Sequence, residues 1–131
     1  MTAFVGTDVL VRHLTGDPAE LAARATAFLY TARDLLLTDL VVAETVDVLE
    51  SYYEAPRASI AHALRSLLAF EAVVCVDAPL LLRAVEVYET ASVSFAGAYL
   101  VACAESTGVR RVVSFDASLD RVSTVDRIEP P

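Results

Sequence analysis

Short apolar segments alternate with longer segments of helical periodicity along the whole chain. Each short segment is rich in β-branched or other apolar residues, and each longer one places alanine, leucine or valine at helical spacing. This alternation is typical of an α/β fold in which helices connect the strands of a parallel sheet. The predicted strands are residues 3–7, 34–39, 72–76, 110–116 and a candidate fifth at 125–130.

Start and end signals delimit the predicted helices. Asp17 is expected to be an N-cap with Pro18 in the first turn, and Pro56 opens a later helix. Ser94 is the expected N-cap of the last long helix, and Gly108 is its expected C-cap. The predicted helices are residues 8–14, 18–33, 40–54, 56–70, 79–89, 94–106 and 118–122.

The composition indicates one folded domain over residues 1–131. The chain is 56% hydrophobic and contains no linker, repeat or low-complexity tract, so it is long enough to bury a core. No apolar run reaches the ~20 residues that span a bilayer. No basic region precedes the first apolar residues. We therefore expect a cytoplasmic protein without a membrane partner.

The charged residues exclude several functional classes. All ten basic residues are arginine, so a P-loop lysine, a Schiff-base lysine and the lysine of a phospho-receiver domain are excluded. The cysteines Cys75 and Cys103 form no CxxC pair, which argues against structural zinc. The net charge of −8 argues against a general nucleic-acid coat. It is compatible with an acidic metal pocket or a basic protein partner.

Three acids follow or flank predicted strands. Asp8 follows the first strand, Glu44 interrupts an apolar run in the helix after the second, and Asp116 ends the fourth. In α/β sheets, functional residues gather at the carboxyl ends of the strands. Carboxylates that converge there favour Mg²⁺ or Mn²⁺, which prefer oxygen ligands. A helix cap or a solvated loop is the alternative for each acid taken alone.

Four blocks of the sequence share their order and spacing with a known family. The blocks read FVGTDVLVRHLTGD, LTDLVVAETVDVLESYYE, PLLLRAVEVYE and SFAGAYLVACAESTGVRRVVSFDASLDRV. Together they resemble the PIN domain, most closely the VapC-type toxins of bacterial toxin–antitoxin pairs. The resemblance implies a three-layer α/β/α fold with a central, mainly parallel sheet of four to five short strands.

The first block departs from the family pattern. The family reads Asp-Thr-Asn-Val after an apolar pair, and the matching residues here are Gly6, Thr7, Asp8 and Val9. The family aspartate therefore falls on Gly6, and the asparagine position carries Asp8. Two residues apart on a strand, the two positions would point to the same side, so Asp8 is expected to face the site from a shifted position.

The start of the fourth block has lost both of the acids that the family carries there. The family reads Asp-Phe-Ala-Asp-Ala, but Ser94 and Gly97 occupy the two aspartate positions here. Glycine in the first helical turn costs about 1 kcal/mol relative to alanine, and no local signal in the sequence explains Gly97. The last block, Thr-Phe-Asp in the family, keeps its aspartate as Asp116 after Ser114 and Phe115.

The resemblance implies a catalytic and metal-binding set with three vacated positions. The retained acids are Asp8, Glu44 and Asp116, the vacated positions are Gly6, Ser94 and Gly97, and the neighbouring polar residues are Thr7 and Ser114. The implied cofactor is Mg²⁺ or Mn²⁺, bound more weakly than in an intact site. The implied partners are an RNA substrate, an antitoxin with a basic tail and a second copy of the chain.

Two functions therefore compete. The first is a metal-dependent endoribonuclease of the VapC toxin type with strongly reduced turnover. The second is a catalytically disabled PIN-fold protein that still binds an antitoxin or RNA. Adjacent Tyr52 and Tyr53 favour packing or a dimer contact over base stacking, and Arg12 is a candidate for the mouth of the site.

Overall fold

The computed structural model describes residues 1–131. Its strands are β1 (Ala3–Phe4), β2 (Leu35–Leu36), β3 (Val73–Val74), β4 (Arg111–Val113) and β5 (Asp126–Ile128). Its α-helices are α1 (Thr7–Thr15), α2 (Ala19–Thr31), α3 (Asp39–Ser51), α4 (Arg57–Leu68), α5 (Ala78–Ala91) and α6 (Phe95–Thr107), and a 3-10 helix spans Ala117–Arg121. The predicted α/β class and the predicted order of elements are confirmed.

All strand pairings are parallel. In one sheet β2 lies between β1 and β3, and Leu35 is in register with Ala3 on one side and Val73 on the other. In a second sheet β4 pairs with β5, and Arg111 is in register with Asp126. Each consecutive parallel pair is joined through at least one helical segment, as such crossovers require.

The chain divides into two compact units, residues Met1–Ala78 and Pro79–Pro131. The first contains β1 to β3 and α1 to α4, and the second contains α6, both remaining strands and nearly all of α5. A single domain over residues 1–131 stays a prediction. No helix in the structure is both long enough and apolar enough to cross a membrane.

The first unit buries the apolar stripes of its helices. α1 packs against α2 and α3, and α3 packs against α4. Leu10, Leu29, Val46 and Leu64 are each at most 1% exposed, one from each of these helices. The helical spacing that predicted these elements therefore also selected their buried faces.

The second unit combines an aromatic contact with an ion pair. Tyr88 on α5 meets Phe95 at the start of α6, with ring centroids 6.0 Å apart in an edge-to-face arrangement. Arg83 on α5 holds Glu105 on α6 by two hydrogen bonds, Nε to Oε1 at 2.7 Å and Nη2 to Oε2 at 2.9 Å. Because both contacts join α5 to α6, they hold the helix that carries Gly97.

Two local predictions are wrong. α2 has Pro18 and not Asp17 as its N-cap residue, and the Asp17 carboxylate accepts a hydrogen bond from the Tyr53 hydroxyl at 3.1 Å instead. Asp8 does not continue a strand, because β1 ends at Phe4 and α1 begins at Thr7. The two-residue repeat of a strand therefore does not relate Gly6 to Asp8.

Candidate functional site

The turn between β1 and α1 brings two of the predicted residues together. Thr7 is the first residue of α1, and its Oγ1 donates a hydrogen bond to Oε2 of Glu44 on α3 at 2.9 Å. Glu44 is exposed, so its charge within an apolar run is satisfied by solvent and by this hydroxyl. The predicted neighbourhood of Thr7 and Glu44 is thus present at the carboxyl end of β1.

Asp8 lies beside the vacated position at Gly6. Gly6 is the N-cap residue of α1 and provides no side-chain cap. Asp8 is in the first turn, and its Oδ1 lies 3.1 Å from where a Cβ on Gly6 would be. The helical turn, and not strand alternation, therefore brings the Asp8 carboxylate next to the position that carries aspartate in the family.

The start of α6 explains why a glycine is tolerated in its first turn. Ser94 is the N-cap, as predicted, and its Oγ accepts a hydrogen bond from the Gly97 backbone nitrogen at 3.0 Å. Gly97 is buried. A Cβ there would lie 3.2 Å from Leu119 Cδ2 and 3.2 Å from Ser94 Oγ. A side chain at Gly97 would therefore fit only if Leu119 and the capping serine moved by a few tenths of an ångström.

Asp116 follows β4 and is engaged locally. It is the N-cap of the 3-10 helix, and its Oδ1 accepts hydrogen bonds from the backbone nitrogen and the hydroxyl of Ser118, at 3.0 and 2.7 Å. These bonds, chiefly the one from the hydroxyl, lower the pKa of Asp116. Ser114 Oγ in turn accepts from the Asp116 backbone nitrogen at 3.0 Å. The carboxylate is fully exposed and ionised near neutral pH.

The family profile that matches the sequence of the chain is that of the PIN domain, over residues 3–125. The chain belongs to the PIN domain family. The PIN match includes every predicted site residue, from Gly6 to Asp116. A PIN domain is generally a nuclease fold and typically uses divalent metals. No curated protein matches the chain.

The donor set of this PIN domain does not fit a complete site for a divalent cation. No group of three or more His, Cys, Asp or Glu side chains that could hold a metal ion is present. Mg²⁺ requires several oxygen ligands in near-octahedral geometry. Metal binding by Asp8, Glu44 and Asp116 therefore stays a prediction.

A surface beside the Thr7–Asp8 turn contains residues to which the sequence assigned a different role. A cavity of about 450 Å³ is lined in part by Asp8, Arg12, Tyr52 and Tyr53. Tyr52 is 77% exposed and its ring meets that of Tyr53, so the predicted dimer contact stays a prediction.

Proposed function

We propose that this protein is a VapC-type PIN domain of a toxin–antitoxin pair in which metal-dependent RNA cleavage is strongly reduced or lost. The observation that carries the proposal is the tight packing around Gly97, where the family pattern has an aspartate. Leu119 Cδ2 and Ser94 Oγ each lie 3.2 Å from the position of a Cβ and would have to shift to admit a side chain there. The second vacated position, Gly6, supports the same conclusion.

The chemistry of phosphodiester hydrolysis explains why these positions matter. In a PIN domain, bound Mg²⁺ or Mn²⁺ would position water and neutralise the charge that develops on the phosphate. Carboxylates supply the ligands for such ions, and ligand geometry must be held to within about 0.5 Å. With two of the family acids replaced by glycine and a third by serine, the retained acids lack the charge needed for tight binding.

The competing function is an active endoribonuclease that relies on Asp8, Glu44 and Asp116. It is favoured by the position of Asp8, whose Oδ1 lies only 3.1 Å from the missing Cβ of Gly6. The hydrogen bond from Thr7 also holds Glu44 near the start of α1. A carboxylate that has moved by two positions along the chain can compensate for a lost ligand only if the remaining ligands also adjust.

The proposal includes the partners that the family pattern implies. A net charge of −8 suits an antitoxin whose tail is basic, because complementary charge speeds and orients association. A homodimer is the proposed state of the free protein. Co-purification of the antitoxin with this chain, and sedimentation of the chain alone, test these two proposals separately.

Cleavage of a structured RNA in Mn²⁺ or Mg²⁺ tests the proposed function. The chain would be compared with Asp116→Ala and with a restored variant that combines Gly6→Asp and Gly97→Asp. A version of the restored variant with Leu119→Ala makes room for the new carboxylate at position 97. Circular dichroism of each variant confirms that it is folded before its activity is compared.

The proposal predicts that the unaltered chain cleaves RNA no faster than Asp116→Ala. A restored variant should cleave at least tenfold faster than the unaltered chain, which corresponds to an activation barrier lower by about 1.4 kcal/mol. Rapid cleavage by the unaltered chain, abolished by Asp116→Ala, would overturn the loss of activity. It would establish instead that Asp8, Glu44 and Asp116 suffice.

A further inference from the structure

Two adjacent tyrosines, Tyr52 and Tyr53, line the cavity beside Asp8. The rings of Tyr52 and Tyr53 meet edge to face, with centroids 4.9 Å apart and an interplanar angle of 72°. Tyr53 is held by the hydrogen bond from its hydroxyl to Asp17 Oδ2 at 3.1 Å. Tyr52 is 77% exposed and its hydroxyl makes no hydrogen bond within the chain. An anchored ring thus presents a second, open ring to solvent.

Two arginines line the cavities next to the same turn. Arg12 lines both the tyrosine cavity and a second cavity of about 510 Å³, which Arg24 also lines. Arg12 makes one long bond, from Nη1 to the backbone oxygen of Asp17 at 3.4 Å, and Arg24 makes no ion pair. Guanidinium groups without a carboxylate partner are suited to bind phosphate through two parallel hydrogen bonds.

The surface carries acids as well as arginines. Asp8 lines both cavities, and Asp17 lines the tyrosine cavity with its carboxylate bound to Tyr53. The local charge is therefore nearly balanced. A ligand held here gains little from general electrostatic attraction and must gain from stacking and from directed contacts to the arginines.

We propose that this surface binds one or two unpaired nucleotides of single-stranded RNA. A base stacks on the open face of Tyr52, and Arg12 and Arg24 bind the flanking phosphates. Aromatic stacking of this kind tolerates any base, because every base has a π-face. The inference rests on the proposed function, since it takes RNA as the ligand of this PIN domain. The inference adds the residues that position the RNA next to Asp8.

A second exposed tyrosine provides a matched control. Tyr30 is 73% exposed and meets Phe70 edge to face at 5.0 Å. It lines a cavity of about 960 Å³ together with Arg33. That cavity lies at the amino ends of β2 and β3, since Asp34 and Ala72 in its wall precede these strands. Ligands of α/β sheets bind at the carboxyl ends of the strands, so Tyr30 should not contact the bound RNA.

Fluorescence anisotropy with a labelled oligouridine of about 12 nucleotides, within the range of single-strand site sizes, tests the proposal. EDTA is present throughout, so that the result is independent of cleavage. We expect Tyr52→Ala to weaken binding about tenfold. Tyr52→Phe, which keeps the ring, and Tyr30→Ala should leave the affinity unchanged. Urea unfolding shows whether the variants retain their stability.

The arginines are tested by the salt dependence of the same binding. Each phosphate contact to a single strand contributes about −0.7 to the slope of log K against log salt concentration. Arg12→Gln and Arg24→Gln should each make the slope shallower by about this amount, measured between about 50 and 200 mM salt. Arg33→Gln, in the control cavity, should leave the slope unchanged.

Three outcomes separate this inference from the proposed function. If the chain binds RNA and Tyr52→Ala behaves like Tyr30→Ala, the assigned surface is wrong while RNA remains the ligand. If the unaltered chain binds no RNA, the choice of RNA fails in both proposals. If Tyr52→Ala leaves RNA binding intact but shifts the sedimentation of the chain towards monomer, the surface is a contact between copies, and the inference is overturned.

Discussion

Gly6 and Gly97 both stand near the start of a helix where the family pattern has an aspartate, but their surroundings differ. Gly6 is exposed, and a Cβ added there would meet a single atom, Asp8 Oδ1 at 3.1 Å. Gly97 is buried, and a Cβ there would meet Leu119 and Ser94, both at 3.2 Å. The first position is exposed to water, whereas the second is buried and tightly packed.

This difference indicates how reversible each loss is. The atom near Gly6 ends a flexible, exposed side chain and can rotate away. Leu119 is 1% exposed, and Ser94 Oγ is held by its capping bond. Buried neighbours move only at a cost, because protein interiors are packed as densely as organic crystals. A carboxylate should therefore return easily at position 6 and with difficulty at position 97.

The largest effect is expected for Gly97→Asp. The free energy of unfolding should fall by about 2–4 kcal/mol, because a charged group would be buried against Leu119 and would displace the Ser94 cap. Urea unfolding measures the change. Ala96→Asp, exposed in the same helical turn, is the control and should change stability by less than about 0.5 kcal/mol. Equal effects of the two substitutions would show that the packing around position 97 tolerates a new side chain.

The pH dependence of stability tests what else holds α6. The pKa of Glu105 is lowered, chiefly by its hydrogen bond from Arg83. A lowered folded-state pKa contributes stability above the unfolded pKa, and this contribution is lost as pH falls through the folded value.

Glu105→Gln should therefore lower the free energy of unfolding by about 1 kcal/mol at neutral pH, a figure reduced for the partial exposure of the pair. The difference from the unaltered chain should shrink by about pH 3. Urea unfolding at both pH values measures it, and Glu71→Gln, at an exposed position, is the comparison. A difference that does not change with pH would contradict the ionic origin of the effect.

Removal of the Ser94 cap should lower the free energy of unfolding by a similar or smaller amount than Glu105→Gln does. Ser94→Ala leaves the Gly97 backbone nitrogen without its acceptor and should cost about 1 kcal/mol. Ser94→Asp, which restores the family residue, keeps an oxygen acceptor and should preserve the stability of the chain. Thermal or urea unfolding of the two variants gives the comparison. A loss in both would indicate that the serine fits the packing around Gly97 and does more than cap the helix.

The smallest effect is expected for Gly6→Asp. The new carboxylate can cap α1, which has no side-chain cap, but it is placed near the like charge of Asp8. The two effects should cancel to within about 0.5 kcal/mol. Adding Asp8→Asn recreates the family pattern and removes the repulsion, so the double variant should unfold at a higher urea concentration. A loss as large as that of Gly97→Asp would contradict the contrast between the two glycines.

Much of the fold could be predicted because its signals are local. Ser94 as a cap, Gly108 as a helix end and the apolar spacing of α3 each act within a few residues. The prediction was wrong at Asp17 and Asp8. At Asp17, Pro18 took the N-cap position and the carboxylate bound Tyr53, which lies 36 residues further along the chain. At Asp8, the helix began earlier than the strand pattern indicated.

By itself, the sequence determined the α/β class, the order of the elements, the PIN family and the absence of aspartate at Gly6 and Gly97. Only the tertiary structure decided what occupies the vacated space. Leu119, 22 residues away in the sequence, packs tightly against position 97, and no local pattern could identify it. The exposure of the Tyr52 ring was likewise decided by the tertiary structure. Composition and periodicity record what each residue prefers, whereas packing depends on which distant residues share a volume.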